Sequence, residues 1–108
     1  MLEHSALDRT YAALADPTRR LLLRRLRDGE ARITDLARPL PMTFAGVSNH
    51  VAILEAAGLV QREVRGREHW VSVRADGLVE AERWIAEQSA AWEGRADALA
   101  ARLERRRR

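Results

Sequence analysis

Thr43-Phe44-Ala45-Gly46-Val47-Ser48-Asn49-His50-Val51-Ala52-Ile53-Leu54-Glu55-Ala56-Ala57-Gly58 reads as one short helix with both ends marked. Thr43 suits the cap, because its hydroxyl accepts a bond from a first-turn N–H that lacks an intrahelical partner. Gly58 suits the stop, because glycine adopts the left-handed conformation without a Cβ penalty. Between them Val47, Val51 and Leu54 recur at helical spacing, with Phe44 one turn earlier, which makes one apolar face. The other side holds Thr43, Ala45, Ser48, Asn49 and Ala52, all small or hydrogen-bonding. Such a face fits close approach to a polar surface such as the base edges of a major groove. It also fits an ordinary surface helix that is short of charge.

On the N-terminal side, Pro41-Met42-Thr43 is a turn, and residues 35–40 form a shorter helix capped by Thr34. Pro39 is awkward inside that helix and Pro41 stops it. Two short helices joined by a tight turn, the second capped and polar-faced, make a helix-turn-helix. Ala31-Arg32-Ile33 leads in as a short extended piece. Residues 17–27 form a helix before it, with Asp16 as cap and Pro17 at the first helical position. Leu21, Leu22, Leu23 and Leu26 give that helix a wide apolar face, and Asp28-Gly29-Glu30 closes it. Leu7, Tyr11 and Leu14 place a first helix over residues 4–14.

After Gly58 the hydrophobic period changes from helical to alternating. Runs 59–65 and 68–73 flank Gly66, so Arg65-Gly66-Arg67 is a hairpin tip, with Arg62 on the approach. Arginines there either solubilise a sheet edge or meet phosphates and a minor groove. Asp76 caps a final helix of about 28 residues, ~40 Å long. Its stripe holds Leu78, Ile85, Ser89, Trp92, Ala96, Leu99 and Leu103, interrupted by Glu82 and with Trp84 beside it. Such a stripe leaves a large exposed patch on a monomer. A second copy related by a two-fold axis covers it most simply. The expected dimer interface is Leu7, Tyr11, Leu78, Ile85, Ser89, Trp92, Ala96 and Leu99; packing on the first helix of the same chain is the alternative. Residues 105–108, all arginine, are expected to be a disordered basic tail.

The 108 residues suit a single domain over positions 1–104. Every one of the 19 basic residues is arginine. The net charge of +3 comes from the tail: residues 1–104 hold 15 arginines against 16 acids, a net of −1. Overall basicity therefore says little about nucleic acid, and the distribution of charge matters more. The absence of cysteine excludes disulfides, thiolate metal sites and thiol switches. No basic-then-apolar leader and no apolar run of spanning length is present, so no membrane partner and a cytoplasmic location are expected. His4, His50 and His69 lack ligand spacing, and Asp76, Glu80, Glu87 and Glu93 offer at most weak carboxylate sites, so no metal or cofactor is expected. There is no nucleophile–His–acid set and no phosphate-binding glycine loop, so no catalytic residue is expected either.

The order of elements resembles the arsenic-repressor-like winged helix-turn-helix regulators: mainly α with a small β-hairpin, α-α-α-α-β-β-α. Leu14-Ala15-Asp16-Pro17-Thr18-Arg19-Arg20 is similar to that family's "ALADPTRR". Val47-Ser48-Asn49-His50-Val51 with Leu54-Glu55-Ala56-Ala57-Gly58-Leu59-Val60 is similar to its "VSxHLxxLexaGLV". The resemblance covers nearly the whole chain. It implies a homodimeric, sequence-specific regulator that binds double-stranded DNA, more often a repressor than an activator, dimerised through its first and last helices. It puts Thr43, Phe44, Ala45, Ser48 and Asn49 where base and backbone contacts are made, and Arg62, Arg65 and Arg67 on the wing. His50 matches the family's His, as a phosphate contact or as a packed brace. Asn49 departs from the basic residue frequent there, and the missing cysteines depart from the family's metal sensors. Two other functions stay open: a sensor with a small-molecule or metal effector bound between the terminal helices, and a protein-interaction module on the same scaffold.

Overall fold

The computed structural model describes residues 5–107. The elements are α1 (Ala6–Leu14), α2 (Pro17–Arg25), β1 (Ala31–Arg32), α3 (Ile33–Ala37), α4 (Phe44–Ala56), β2 (Val60–Arg65), β3 (Glu68–Val73) and α5 (Asp76–Arg107). A single 3-10 turn (Leu26–Asp28) follows α2, which therefore ends earlier than the leucine pattern suggests. The expected start of the first helix at His4 lies outside the described residues. Within them Ser5 and Asp8 form a reciprocal capping box, with both bonds at 3.1 Å. Asp16 caps α2 as expected: Oδ1 accepts from the Thr18 and Arg19 N–H groups at 2.8 and 3.1 Å.

Thr34 is not a cap. Helix α3 begins two residues earlier than expected, at the fully buried Ile33, after an extended Arg32 that makes no side-chain cap bond. The helix also ends at Ala37, short of the expected residue 40. Pro39 explains this: Arg38 is still helical, at φ −53 and ψ −48, but Pro39 has no N–H to continue the ladder. Ala31 and Arg32 are a true strand, paired antiparallel with Val71 and Trp70 of β3. The wing is thus a three-stranded sheet of order β1-β3-β2 rather than a lone hairpin. Arg65 pairs with Glu68, leaving Gly66 and Arg67 as a two-residue turn. Gly66 takes φ +63, the positive value that a type II′ turn needs at its first central position.

The core gathers one face of each element: Leu22 from α2, Ile33 and Leu36 from α3, Val47, Val51 and Leu54 from α4, and Val60 and Val71 from the sheet. Gly58, at φ +75, turns the chain out of α4 so that Leu59 and Val60 enter the core. Phe44 leaves the α4 stripe and stands 46% exposed. Helix α5 packs along α1 near its start, where Ala81 is its one buried residue among those described. From residue 82 to residue 107 every position is exposed, and the described residues extend 73 Å along their longest axis. Asp76 is the first helical residue rather than the cap, and Arg105 to Arg107 of the expected tail continue the helix, while Arg108 lies outside the described residues. Arginine has good helix propensity, and three cations in the last turn meet the negative end of the helix dipole. Among the described residues no helix is long and apolar enough to cross a membrane.

Candidate nucleic-acid interface

Helix α4 is fixed at its start by Thr43, whose Oγ1 accepts from the Gly46 N–H at 3.1 Å. With the apolar stripe buried, Phe44, Ala45, Ser48, Asn49 and Ala52 point outward. Together with Glu55 and Arg62 they line an open groove of about 630 Å³. The four N-terminal amides of a helix lack intrahelical partners and carry partial positive charge. The groove therefore combines a weakly positive end with a neutral floor.

Arg62 crosses from β2 to α4. It donates to the Ser48 hydroxyl at 3.1 Å and to the Ser48 carbonyl at 3.0 Å. Its Nε lies 3.9 Å from a Glu55 oxygen. The side chain is a brace between wing and helix, and it uses one acceptor position of the Ser48 hydroxyl. His50 is braced too. Its Nδ1 accepts from Arg19 at 3.2 Å, while Arg19 also donates to the Ala13 and Ala12 carbonyls at 2.7 and 3.2 Å. Arg19 thus satisfies carbonyls left open at the end of α1 and ties α4 to that corner.

The two tip arginines differ. Arg65 makes a bidentate pair with Glu30, both bonds 2.9 Å, and a third bond to Glu63 at 3.0 Å. Its guanidinium centre lies 5.0 Å from the Trp70 ring centroid. Arg32 lies 5.8 Å from the same ring and binds Glu68 and Asp35 at 2.6 and 2.9 Å. Glu30 first, then Glu63, hold the Arg65 pKa above its usual value, and Arg65 in turn holds the Glu63 carboxyl below the usual carboxylate range. Arg67 is exposed and has no partner among the described residues. Glu30, Arg32 and Trp70 were not singled out by sequence reasoning. Apart from the local Arg32–Asp35 pair, their partners lie at least 35 residues away along the chain or across a strand pair, and leave no local signal.

The expected dimer residues divide in two. Tyr11 is engaged within the chain: its hydroxyl donates to the Ala81 carbonyl at 2.9 Å, and its ring meets Trp84 edge-on at 6.0 Å. Leu78 packs against the core of the same chain, and Leu7 lines a shallow hollow beside Trp84. Ile85, Ser89, Trp92, Ala96 and Leu99 are exposed. Among the described residues no three His, Asp or Glu side chains gather to hold a metal ion.

Residues 16–62 match the family described as bacterial regulatory protein, arsR family. The HTH-type transcriptional regulator Rv2034 of Mycobacterium tuberculosis is 42% identical over 78 residues, 72% of this chain and 73% of the relative. The chain belongs to the ArsR family. The crystal structure of the ArsR family transcriptional regulator RHA00566 is similar at TM-score 0.78 and 35% identity, over 82% of this chain and 98% of that one. A solution structure from Mycobacterium bovis, Mb0332, described as a homodimeric winged helix-turn-helix DNA-binding domain, shares the fold at TM-score 0.61 and 22% identity, over 82% of this chain and 79% of that one. This ArsR-family chain is accordingly a transcriptional regulator with a winged helix DNA-binding domain. The family match spans Asp16 to Arg62, and so contains the cap of α2, the Arg19–His50 tie and all of α4.

Proposed function

We propose that this regulator is a cytoplasmic homodimeric repressor that reads an inverted-repeat operator with α4 and the wing. The observation that carries the reading is the outward face of α4. It is short-chained, uncharged through Ala52, and uncovered by the rest of the chain. The N-terminal turn of α4 faces the bases, with its free amides toward a phosphate. Asn49 bonds the N6 and N7 edge of an adenine. Ser48, whose oxygen accepts from Arg62, helps to position the helix and keeps its own O–H to donate to a base or a phosphate. Arg67, without a partner among the described residues, meets the backbone of the adjacent groove from the wing tip.

The dimer forms through the exposed stripe of α5, with Ile85, Ser89, Trp92, Ala96 and Leu99 in the seam. Two-fold pairing sets two α4 helices one or more helical turns apart on one face of the duplex. Occupancy of that face blocks polymerase. Selection of bound duplexes from random sequence tests the whole reading. Recovery of a two-fold symmetric site, lost with Asn49→Ala, is the expected result; recovery of no site, or of one indifferent to Asn49, would overturn it.

A further inference from the structure

We propose that Phe44 is a specificity-determining residue that reads the 5-methyl group of thymine, and that each half-site is read at A·T pairs without a guanine contact. This rests on α4 entering the major groove. The commonest specific contact to guanine there is a bidentate Arg or Lys on its O6 and N7. Helix α4 contains neither residue type from Phe44 to Ala56. Arg62 is the single arginine lining the groove, and its guanidinium already binds the Ser48 hydroxyl and carbonyl and faces Glu55. The Ser48 O–H can add one bond to a base of any kind and so selects none, and the Glu55 carboxylate faces Arg62 at 3.9 Å. The rest of the face offers two chemistries. One is the Asn49 amide, whose donor and acceptor match adenine. The other is apolar carbon from Phe44, Ala45 and Ala52, and the matching feature in a major groove is the thymine methyl.

Phe44 is suited to that role by its posture. A phenylalanine packed for stability would join Val47, Val51 and Leu54 in the core, where all three have no exposed surface. Phe44 instead stands nearly half exposed at the first turn of α4. Its ring is not loose: the His69 ring of β3 meets it edge-on at 6.3 Å and 76°. The wing therefore orients the ring while its outer side stays open to the groove. Asn49 follows five residues later, about 7.5 Å along the helix axis.

The test begins from the duplex selected with the wild-type protein. Each thymine of one half-site is replaced singly by deoxyuridine, which removes only the methyl group. Each guanine is replaced by 7-deazaguanine, which removes only N7. At least one uracil should weaken binding roughly fourfold, the loss expected for one apolar carbon withdrawn from contact, and no deazaguanine should matter. Phe44→Ser should bind more weakly and treat thymine and uracil alike. Phe44→Leu, which keeps an apolar side chain, should retain part of the preference, and so separates lost contact from lost fold. Uracil without effect at every position, a uracil penalty that survives in Phe44→Ser, or a deazaguanine penalty overturns the proposal. In those cases a specific duplex is still bound, so the groove reading stands. Failure to select any duplex overturns both.

Discussion

A methyl group added at Gly77 would lie 2.9 Å from Leu59 Cδ2, 3.2 Å from the Ala57 carbonyl oxygen and 3.3 Å from Thr10 Oγ1. Leu59 and Thr10 are both buried, so neither has room to move aside. Gly77→Ala should therefore destabilise the fold by about 1–3 kcal/mol, as overpacking does, although alanine favours a helix over glycine by about 1 kcal/mol. Urea unfolding of the two proteins measures which effect wins. Asp16 makes a second residue-scale prediction. The Arg19 N–H, first among its partners, holds its carboxyl below the usual range, with smaller help from the Thr18 N–H and the Arg19 charge. A depressed folded pKa means that the stabilisation is present above the unfolded pKa and is lost as pH falls through the folded value. Asp16→Asn should melt below wild type at neutral pH, and the gap should close on acidification past the carboxylate range. A gap that stays constant would show that the cap charge is irrelevant.

At the scale of the element, the wing behaves as two parts. Its base is a cross-braced unit in which Trp70 lies between Arg32 and Arg65, and each arginine is held by two carboxylates. Its tip carries Arg67, which is exposed and has no partner among the described residues. A cation already neutralised by Glu30 and Glu63 releases few counterions when it nears DNA, whereas a free one releases about one. Arg67→Ala should thus reduce the slope of log affinity against log salt by about one, and Arg65→Ala by clearly less. Equal slopes for the two variants would mean that the carboxylates let go of Arg65 on binding. Arg62→Ala should leave the slope near its wild-type value yet weaken specific binding, because it frees α4 from the sheet at Ser48.

For the whole molecule, the decisive feature is a helix far longer than its own domain can cover. Of the 32 residues of α5, Ala81 alone is buried, while Trp92 and Leu99 stand 68% and 55% exposed. Apolar surface on that scale is the mark of an interaction face. Trp92→Asp combined with Leu99→Asp should yield a monomer in sedimentation velocity. Because neither residue touches the core, the melting of the α1–α4 unit should persist, while affinity for the two-fold site falls to that of one half-site. A variant that remains dimeric would move the seam elsewhere.

Local features were legible along the chain. Helix α4 could be bounded by Thr43 and Gly58, α2 could be started at Asp16-Pro17, and the hairpin could be centred on Gly66, because caps and turns bond within three or four residues. The outward set Ala45, Ser48, Asn49 and Ala52 was legible too, since it is the complement of the buried stripe. Pairing at long separation was not. That Ala31 and Arg32 join β3, that Arg19 holds His50, and that Arg65 is bound by Glu30 while Arg67 is free all depend on the path of the chain. The sequence by itself determined where the reading helix and wing begin and end, through bonds between near neighbours. Only the tertiary structure decided which arginines are available to a phosphate, because a guanidinium's freedom depends on whichever distant carboxylates and carbonyls folding brings within bonding distance.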